Sequence, residues 1–392
     1  IMEKKKIDIV IHAINYDYGL INDVYENTHG LYDEVHLMPD THRGKDVPIG
    51  FVAKVDENKG IIPNLVGVDI GCGMSVYEIP KLNVKVVDWH KLYKFIDENI
   101  PSGTKIFKGN KNKNSFDFTD VIMKKPQNKF ESYKNALGTL GGGNHFIEIN
   151  SGQENDYIVI HSGSRKFGLD VCTYYNKLMK FDSEQYRADL DRELENVEPH
   201  SREEFIKKFK AEYNRNANIL SGEKAKEYLN DMRIAQQFAS ENRKLMIKKL
   251  LEFFNIRFKE KNYWESVHNY IDFEDNIVRK GATPARSGQK IIVPINMRDG
   301  SIIAIGKGNE KWLDSAPHGA GRVLSRKDAK EKISMEEYKA SMEGINTFTV
   351  NASTLDEAPM AYRDISEIIE ATEDTMEIVE IVKPIFNFKG GQ

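Results

Sequence analysis

Apolar residues fall in short blocks along most of the chain, each bounded by glycine, proline or polar turns. Residues 7–14 (IDIVIHAI) and 49–55 (IGFVAKV) are rich in β-branched side chains and predict strands. The run from Ile61 into Cys72 and the segment 74–79 predict two more. Residues 88–99 place apolar side chains at helical spacing. From 102 to 134 the chain is Lys- and Asn-rich and weakly periodic, which predicts a surface excursion. A glycine hinge, Leu137–Gly143, leads into a strand at His145–Ile149, and Tyr157–His161 predicts another.

The pattern changes over 166–258, which is long, charged and helical. Tyr228, Met232, Ala235, Phe238 and Ala239 recur at i, i+4, i+7 spacing. This segment reads as a helical insertion or arm on a β-rich body. Strand patterns return at 275–279, 289–295 and 301–305, a Gly-rich loop spans 318–321, and the tail 374–388 is apolar. With no internal repeat and no long linker, the expected architecture is α+β. It is a single interwoven domain over 1–392, with mixed β-sheets flanked by helices and the insertion 166–258 inside it.

Composition narrows the class. Hydrophobic residues at 40% and charged residues at 30% exclude a disordered or fibrous chain. No apolar run reaches the roughly 18 residues a membrane span needs. The segment Met2-Glu3-Lys4-Lys5-Lys6 lacks the apolar core of a signal peptide, so a cytoplasmic location is expected. Cys72 and Cys172 cannot make a disulfide framework, and free thiols in a reducing compartment fit them better. A net charge of −4 offers no global basic field, so any polyanion must be held locally. Lys105, Lys108, Lys111, Lys113 and Arg165 are a candidate patch, although a lysine-rich stretch is more often a solvated face.

The chemistry concentrates in a few loops. Val66–Met74 (VGVDIGCGM) sets the Asp69 carboxylate and the Cys72 thiol three residues apart in a glycine frame. A carboxylate and a thiolate converging on one point suit a divalent metal, and a thiolate can bridge two ions. The plainer reading of such a pair is packing beside a turn. Pro39–Lys45 (PDTHRGK) is a polar loop dense in ligands and phosphate binders. Gly141–Glu148 places Asn144, His145 and Glu148 where a glycine run meets a strand, so that a phosphate or nucleotide can approach the backbone. His161 ends an apolar strand with Arg165 four residues on, a guanidinium suited to phosphate. His268 sits beside Asn269 in Ser266–Tyr270. His318 opens the turn His318–Arg322 (HGAGR), where a neutral imidazole can be ligand, base or nucleophile. Asp69, Cys72, His145, His161 and His268 thus supply five candidate metal ligands, with His318 as a further histidine.

With these motifs in order, the sequence resembles the RtcB family of RNA-splicing ligases. The resemblance rests on 39–45, 67–74, 137–148 (LGTLGGGNHFIE), 161–168 (HSGSRKFG), 267–270 (VHNY), 279–282 (RKGA), 318–322, 359–365 (PMAYRDI) and the terminal Lys389-Gly390. It implies an enzyme that uses GTP as co-substrate and two Mn²⁺ ions per subunit. Such an enzyme joins an RNA 3′-phosphate or 2′,3′-cyclic phosphate end to a 5′-hydroxyl end.

It further implies that His318 is the nucleophile that becomes guanylylated. Cys72 would bridge two ions, one also held by His145 and His161, the other by Asp69 and His268. Asn144, His145, Phe146, Ile147, Glu148, His268, Asn269, Pro294, Ile295, Asn296, Met297, Ser301, His318, Gly319, Ala320, Gly321 and Lys389 would bind the nucleotide. Arg165 and Arg322 would hold RNA phosphate. A monomer, with an archease-type activator as a possible partner and no membrane contact, completes the expectation.

Two features depart from the family pattern. Pro294–Ser301 (PINMRDGS) replaces a small Pro-Gly-Ser-Met-Gly loop with bulkier and charged residues, and Ala316-Pro317 stiffens the approach to His318. The rival expectations are a binuclear metal phosphoesterase that opens cyclic phosphates without ligation, and a non-catalytic RNA-binding or damage-sensing module.

Overall fold

A computed structural model of the chain describes residues 7–56, 58–109, 115–179 and 183–390; Lys111 and Lys113 of the candidate basic patch lie outside them. The architecture is the expected mixture of helices and sheets. The larger sheet runs, edge to edge, Lys290–Asn296, Gly300–Gly306, Met376–Lys389, Phe146–Ser151, Asn155–Ser162, Gly73–Pro80 and Tyr263–Val267. Neighbours along this path are antiparallel. The two edge strands approach each other where the Ile292 N–H donates to Ser266 Oγ (3.1 Å), so the sheet nearly closes on itself.

Alternation decides what each face does. Tyr77, Ile79, Ile147, Ile149, Ile158 and Ile160 pack outward against Met246, Ile247, Leu250 and Leu251 of the 32-residue helix Gly222–Phe253. Met74, Val76, Phe146 and Val159 turn inward with Ile292, Ile303 and Val382. Cys72, two residues before Met74, and His161, two after Val159, lie where this inner face opens onto a cleft.

A second sheet orders Asp8–Ile11, Glu34–His42, Ile49–Lys54, Ile277–Lys280 and Asn269–Asp272. A short antiparallel pair, Ala282–Pro284 with Ser315–Pro317, links the two sheets to the His318 turn.

Several segments differ from their sequence pattern. Ile61–Cys72 is no strand: Pro63 starts the single helical turn Pro63–Val66, and Gly67 (φ +101°) then reverses the chain. Pro39–Lys45 is not simply a loop, because Glu34–His42 is a strand. Its register jumps from Leu37↔Phe51 to His42↔Ile49, so Met38–Thr41 bulges out of the ladder, which is where a strand tolerates Pro39. The 102–134 excursion ends in the helix Gln127–Ala136, and Phe118, Met123 and Tyr133 are buried in the main core. The apolar tail is one 14-residue strand, Met376–Lys389, between two others of the larger sheet.

Within 166–258, Arg165–Leu178 and Gly222–Phe253 are built into the core. Ser183–Leu194 and Arg202–Asn216 instead meet through Tyr186 against Phe209 and Tyr213. Among the described residues, no helix is long and apolar enough to cross a membrane.

Candidate functional site

The cleft, of about 600 Å³, opens where the inner face of the larger sheet meets the 318–326 segment. One wall is the turn carrying Asp69 and Cys72. Gly71 adopts φ +72°, and a Cβ there would come within 2.9 Å of Gln236 Cα on the long helix, so only glycine lets the turn sit this close. Across from it, a Cβ on Gly163 would lie 2.1 Å from Asp69 Oδ1.

The fully buried Arg243 joins the two loops. Its Nη1 donates to Gly71 O (2.7 Å) and Ser162 O (2.9 Å), and its Nε donates to Ser75 Oγ (3.0 Å) and Glu265 Oε1 (3.1 Å). A guanidinium presents donors in a rigid fork, which suits two carbonyls held at fixed separation.

The candidate ligands form two triads that share Cys72: Asp69, Cys72 and His145, and Cys72, His161 and His268. Within each triad the ligand atoms lie within 4.8 Å of one another. This division differs from the one the family resemblance implies, in which His145 was paired with His161 and Asp69 with His268. Cys72 Sγ lies 3.3 Å from His161 Nε2 and 3.6 Å from His145 Nε2; His161 Nε2 is 3.1 Å from His268 Nε2, and His145 Nε2 is 3.1 Å from Asp69 Oδ2.

His161 Nδ1 faces Asn144 O (3.1 Å), which as a donor contact leaves Nε2 free to ligate. Burial pushes the pKa values of His161 and His268 well below the usual histidine range, so both imidazoles are neutral, as ligands must be. Among the described residues, buried His145 Nδ1 has no hydrogen-bond partner. Burial, then the Asp69 carboxylate, pushes the Cys72 thiol well above its ordinary pKa, so ligation requires that its proton leave. Neutral imidazoles, a thiol and a carboxylate converging in a buried space fit a divalent cation with mixed N, S and O ligands.

His318 stands beside these triads, with its ring centroid 4.9 Å from that of His268. Its Nδ1 lies 2.6 Å from Oδ2 of Asp40, a fully buried carboxylate. The same oxygen accepts the Gly319 N–H at 3.2 Å. The bulge in Glu34–His42 is what aims Asp40 here. The 39–45 motif by itself gives Asp40 no role, since nothing local couples it to residue 318.

On the far side lie Phe146, Glu148 and Lys389. Glu148 accepts from Asn387 Nδ2 (2.6 Å) and Asn150 Nδ2 (3.3 Å), and burial pushes its pKa up to about 7 against the pull of Lys389. Lys389 Nζ donates to Glu357 Oε2 (3.0 Å) and sits 5.1 Å from the Phe146 ring centre. Burial alone would raise the Glu357 pKa, but Lys389, Arg326, Tyr362 and Arg322 hold it down at about 2. Arg322 Nη1 reaches Glu357 Oε1 (3.3 Å) and Tyr362 Oη (3.1 Å), and Arg326 Nη1 reaches Glu357 Oε1 (2.7 Å). Glu357, Tyr362 and Arg326 are cleft residues that the sequence pattern does not mark as a site, although Tyr362 belongs to the 359–365 motif.

Most of the nucleotide candidates line this cleft: Asn144, Phe146, Glu148, His268, Asn269, Pro294–Met297, His318–Gly321 and Lys389. Ile147 does not, because strand alternation turns it into the core under the long helix. Ser301 is fully buried opposite Pro294 in the ladder, with its Oγ unpartnered among the described residues, and it is not part of the cleft lining. Arg165 is also held away from the lining; its Nε donates to Thr139 Oγ1 (3.0 Å) and its Nη2 to Gly103 O (2.5 Å). In the divergent loop, Arg298 and Asp299 pair with each other at 2.8 Å and leave the cleft to residues 294–297.

The family described as "tRNA-splicing ligase RtcB" matches residues 24–133 and 120–390 of this chain. The chain is 30% identical to "RNA-splicing ligase RtcB" of Escherichia coli (strain K12), over 92% of its own length and 91% of that protein. It is 27% identical to "tRNA-splicing ligase RtcB" of Nanoarchaeum equitans, over 90% and 87% of the two chains. Against "tRNA-splicing ligase RtcB" of Thermococcus kodakarensis the identity is 24%, over 92% and 88%.

Proposed function

This chain belongs to the RtcB family, and from that membership and the chemistry of the cleft we propose that it is an RNA ligase. It joins an RNA 3′-phosphate or 2′,3′-cyclic phosphate end to a 5′-hydroxyl end, with GTP as co-substrate. The observation that carries the reading is the His318–Asp40 contact beside two cysteine-sharing triads in one cleft.

With Nδ1 held against Asp40, His318 is left with Nε2 as its free nitrogen. That nitrogen attacks the α-phosphorus of GTP, the bond to the bridging oxygen breaks, and pyrophosphate leaves. The ring gains positive charge, and the buried Asp40 carboxylate stabilises it as it does in other acid–histidine pairs. Where the end is a 2′,3′-cyclic phosphate, water first adds to the phosphorus and the P–O2′ bond breaks, leaving the 3′-phosphate; GMP then passes from His318 to that 3′-phosphate as the N–P bond breaks. The 5′-hydroxyl finally attacks that phosphate, loses its proton, and expels GMP. Splitting the reaction in this way replaces one hard step with easier ones.

Asp69, Cys72 and His145 would hold one divalent cation and Cys72, His161 and His268 a second, with manganese the proposed ion; such a pair stabilises charge on attacking and leaving oxygens. Glu148 gives the base of the nucleotide a carboxylate acceptor, and Lys389 supplies a cation beside it. Arg322 and Arg326 line the same cleft and would contact RNA phosphate.

The test is incubation with Mn²⁺ and GTP labelled at the α-phosphate. Label should stay on the denatured protein and vanish in His318→Ala. A wild-type protein that opens cyclic phosphates but takes up no label is a phosphoesterase, and the ligase reading fails.

A further inference from the structure

The mouth of the cleft carries a feature that the reaction above does not use. The bulge that aims Asp40 at His318 continues through His42 to Arg43, which lines the cleft while its side chain stays 72% exposed. The segment before the first helix lies against this bulge: the Ile14 N–H donates to Pro39 O (3.2 Å), and Ile14 packs on the core cluster that Tyr362 also borders. Two aromatic rings follow at once. Tyr16 is 45% exposed and Tyr18 is 82% exposed.

Neither exposure is what a core or capping role would produce. Asp17, between them, performs the capping, accepting the Leu20 N–H at 3.1 Å at the start of Tyr18–Asn27. Asp17 Oδ1 lies 3.9 Å from Arg43 Nη2, a loose contact that leaves the guanidinium open to a second anion. Gly19 makes room for this approach, since a Cβ there would sit 3.0 Å from Arg43 Nη2. An exposed guanidinium that reaches Asp17, the residue between two exposed tyrosines, brings to one segment the two kinds of group that hold single-stranded nucleic acid. The cation takes a backbone phosphate, and a ring takes the face of an unstacked base. Duplex RNA offers its phosphates but not its base faces.

We propose that Tyr16, Tyr18 and Arg43 form a landing platform for a single-stranded RNA end, with a base stacked on Tyr18 and a phosphate on Arg43. The strand then leads over the 40–43 bulge to His318. The proposal rests on the RNA-joining function above and adds where the strand enters and why it must be single-stranded.

The test is fluorescence anisotropy on the full chain with a short single-stranded oligoribonucleotide ending in a 3′-phosphate, and with its duplex as control. Tyr18→Ala should weaken single-strand binding about tenfold, or about 1.4 kcal/mol, and should leave duplex binding unchanged. Tyr18→Phe should bind as wild type does. Arg43→Ala should flatten the slope of log K against log salt by about 0.7, one phosphate's worth for a single strand. His318 labelling by GTP should be unchanged in both Tyr18 variants, since Tyr18 is not part of the cleft lining. Wild-type affinity in both alanine variants overturns the platform, as does an equal loss on single strand and duplex in Tyr18→Ala. RNA binding that depends on Tyr18 in a protein that takes up no GTP label would keep the platform and overturn the guanylylation chemistry instead.

Discussion

Asp40 Oδ2 lies 2.6 Å from His318 Nδ1, although the two residues come from opposite ends of the chain. One belongs to a bulged strand of the smaller sheet, the other to a turn that follows the short pair Ala282–Pro284 and Ser315–Pro317. In the reaction proposed above, a carboxylate this close to Nδ1 leaves Nε2 for the attack and offsets the charge the ring would acquire. Asp40→Asn keeps the shape and removes the charge. It should slow the labelling of His318 by about 10²–10⁴-fold while metal content stays unchanged, because Asp40 belongs to neither triad. Labelling rates within a few-fold of wild type would show that Asp40 only packs against the turn.

Cys72 is the candidate ligand common to both triads. Cys72→Ala should therefore strip bound metal almost completely, whereas His268→Ala should remove only the ion of its own triad. Elemental analysis after dialysis against Mn²⁺ reads both. Equal metal loss in the two variants would mean that the triads fill as one unit.

Glu357 is buried against Lys389, Arg322 and Arg326, and its pKa falls from an ordinary 4.5 to about 2. A folded-state pKa below the unfolded one gives stability that is complete above about pH 4.5 and fades as the pH falls toward 2. Glu357→Gln takes the carboxylate away from Lys389 and Arg322, while Arg326 keeps Asp356, and should cost roughly 3 kcal/mol at neutral pH. Urea melts should show the gap to wild type closing between pH 4.5 and the acid limit. A gap independent of pH would assign the loss to packing.

Arg243 bridges Gly71 O and Ser162 O from inside the core, tying the Asp69–Cys72 turn to the strand that ends at His161. Arg243→Met should destabilise the fold by about 3–5 kcal/mol, because Glu265 and both carbonyls lose their buried donor. Arg243→Lys retains the charge but not the fork, so it should recover only part of that loss in denaturant unfolding followed by circular dichroism. Full recovery with lysine would show that charge alone holds the two loops.

Some of this was open to reading along the chain. Short apolar runs mark 74–79 and 157–161 as strands, and the alternation of side chains along a strand explains why Phe146 and Glu148 face the cleft while Ile147 does not. The ligand types were legible too: a thiol, a carboxylate and histidines in glycine-framed turns carry their chemistry with them, wherever they sit. Those signals are local, set by backbone preferences and side-chain chemistry over a few residues. What only the tertiary structure decided is who meets whom. The partition of five ligands into two triads follows from the curl of the larger sheet. The retirement of Arg165 to Thr139 and Gly103 and the burial of Ser301 depend on neighbours far away in sequence. The pairing of Asp40 with His318 depends on how many residues bulge between Leu37 and His42, and no periodicity encodes such a register shift, because it is set by packing between strands rather than along one.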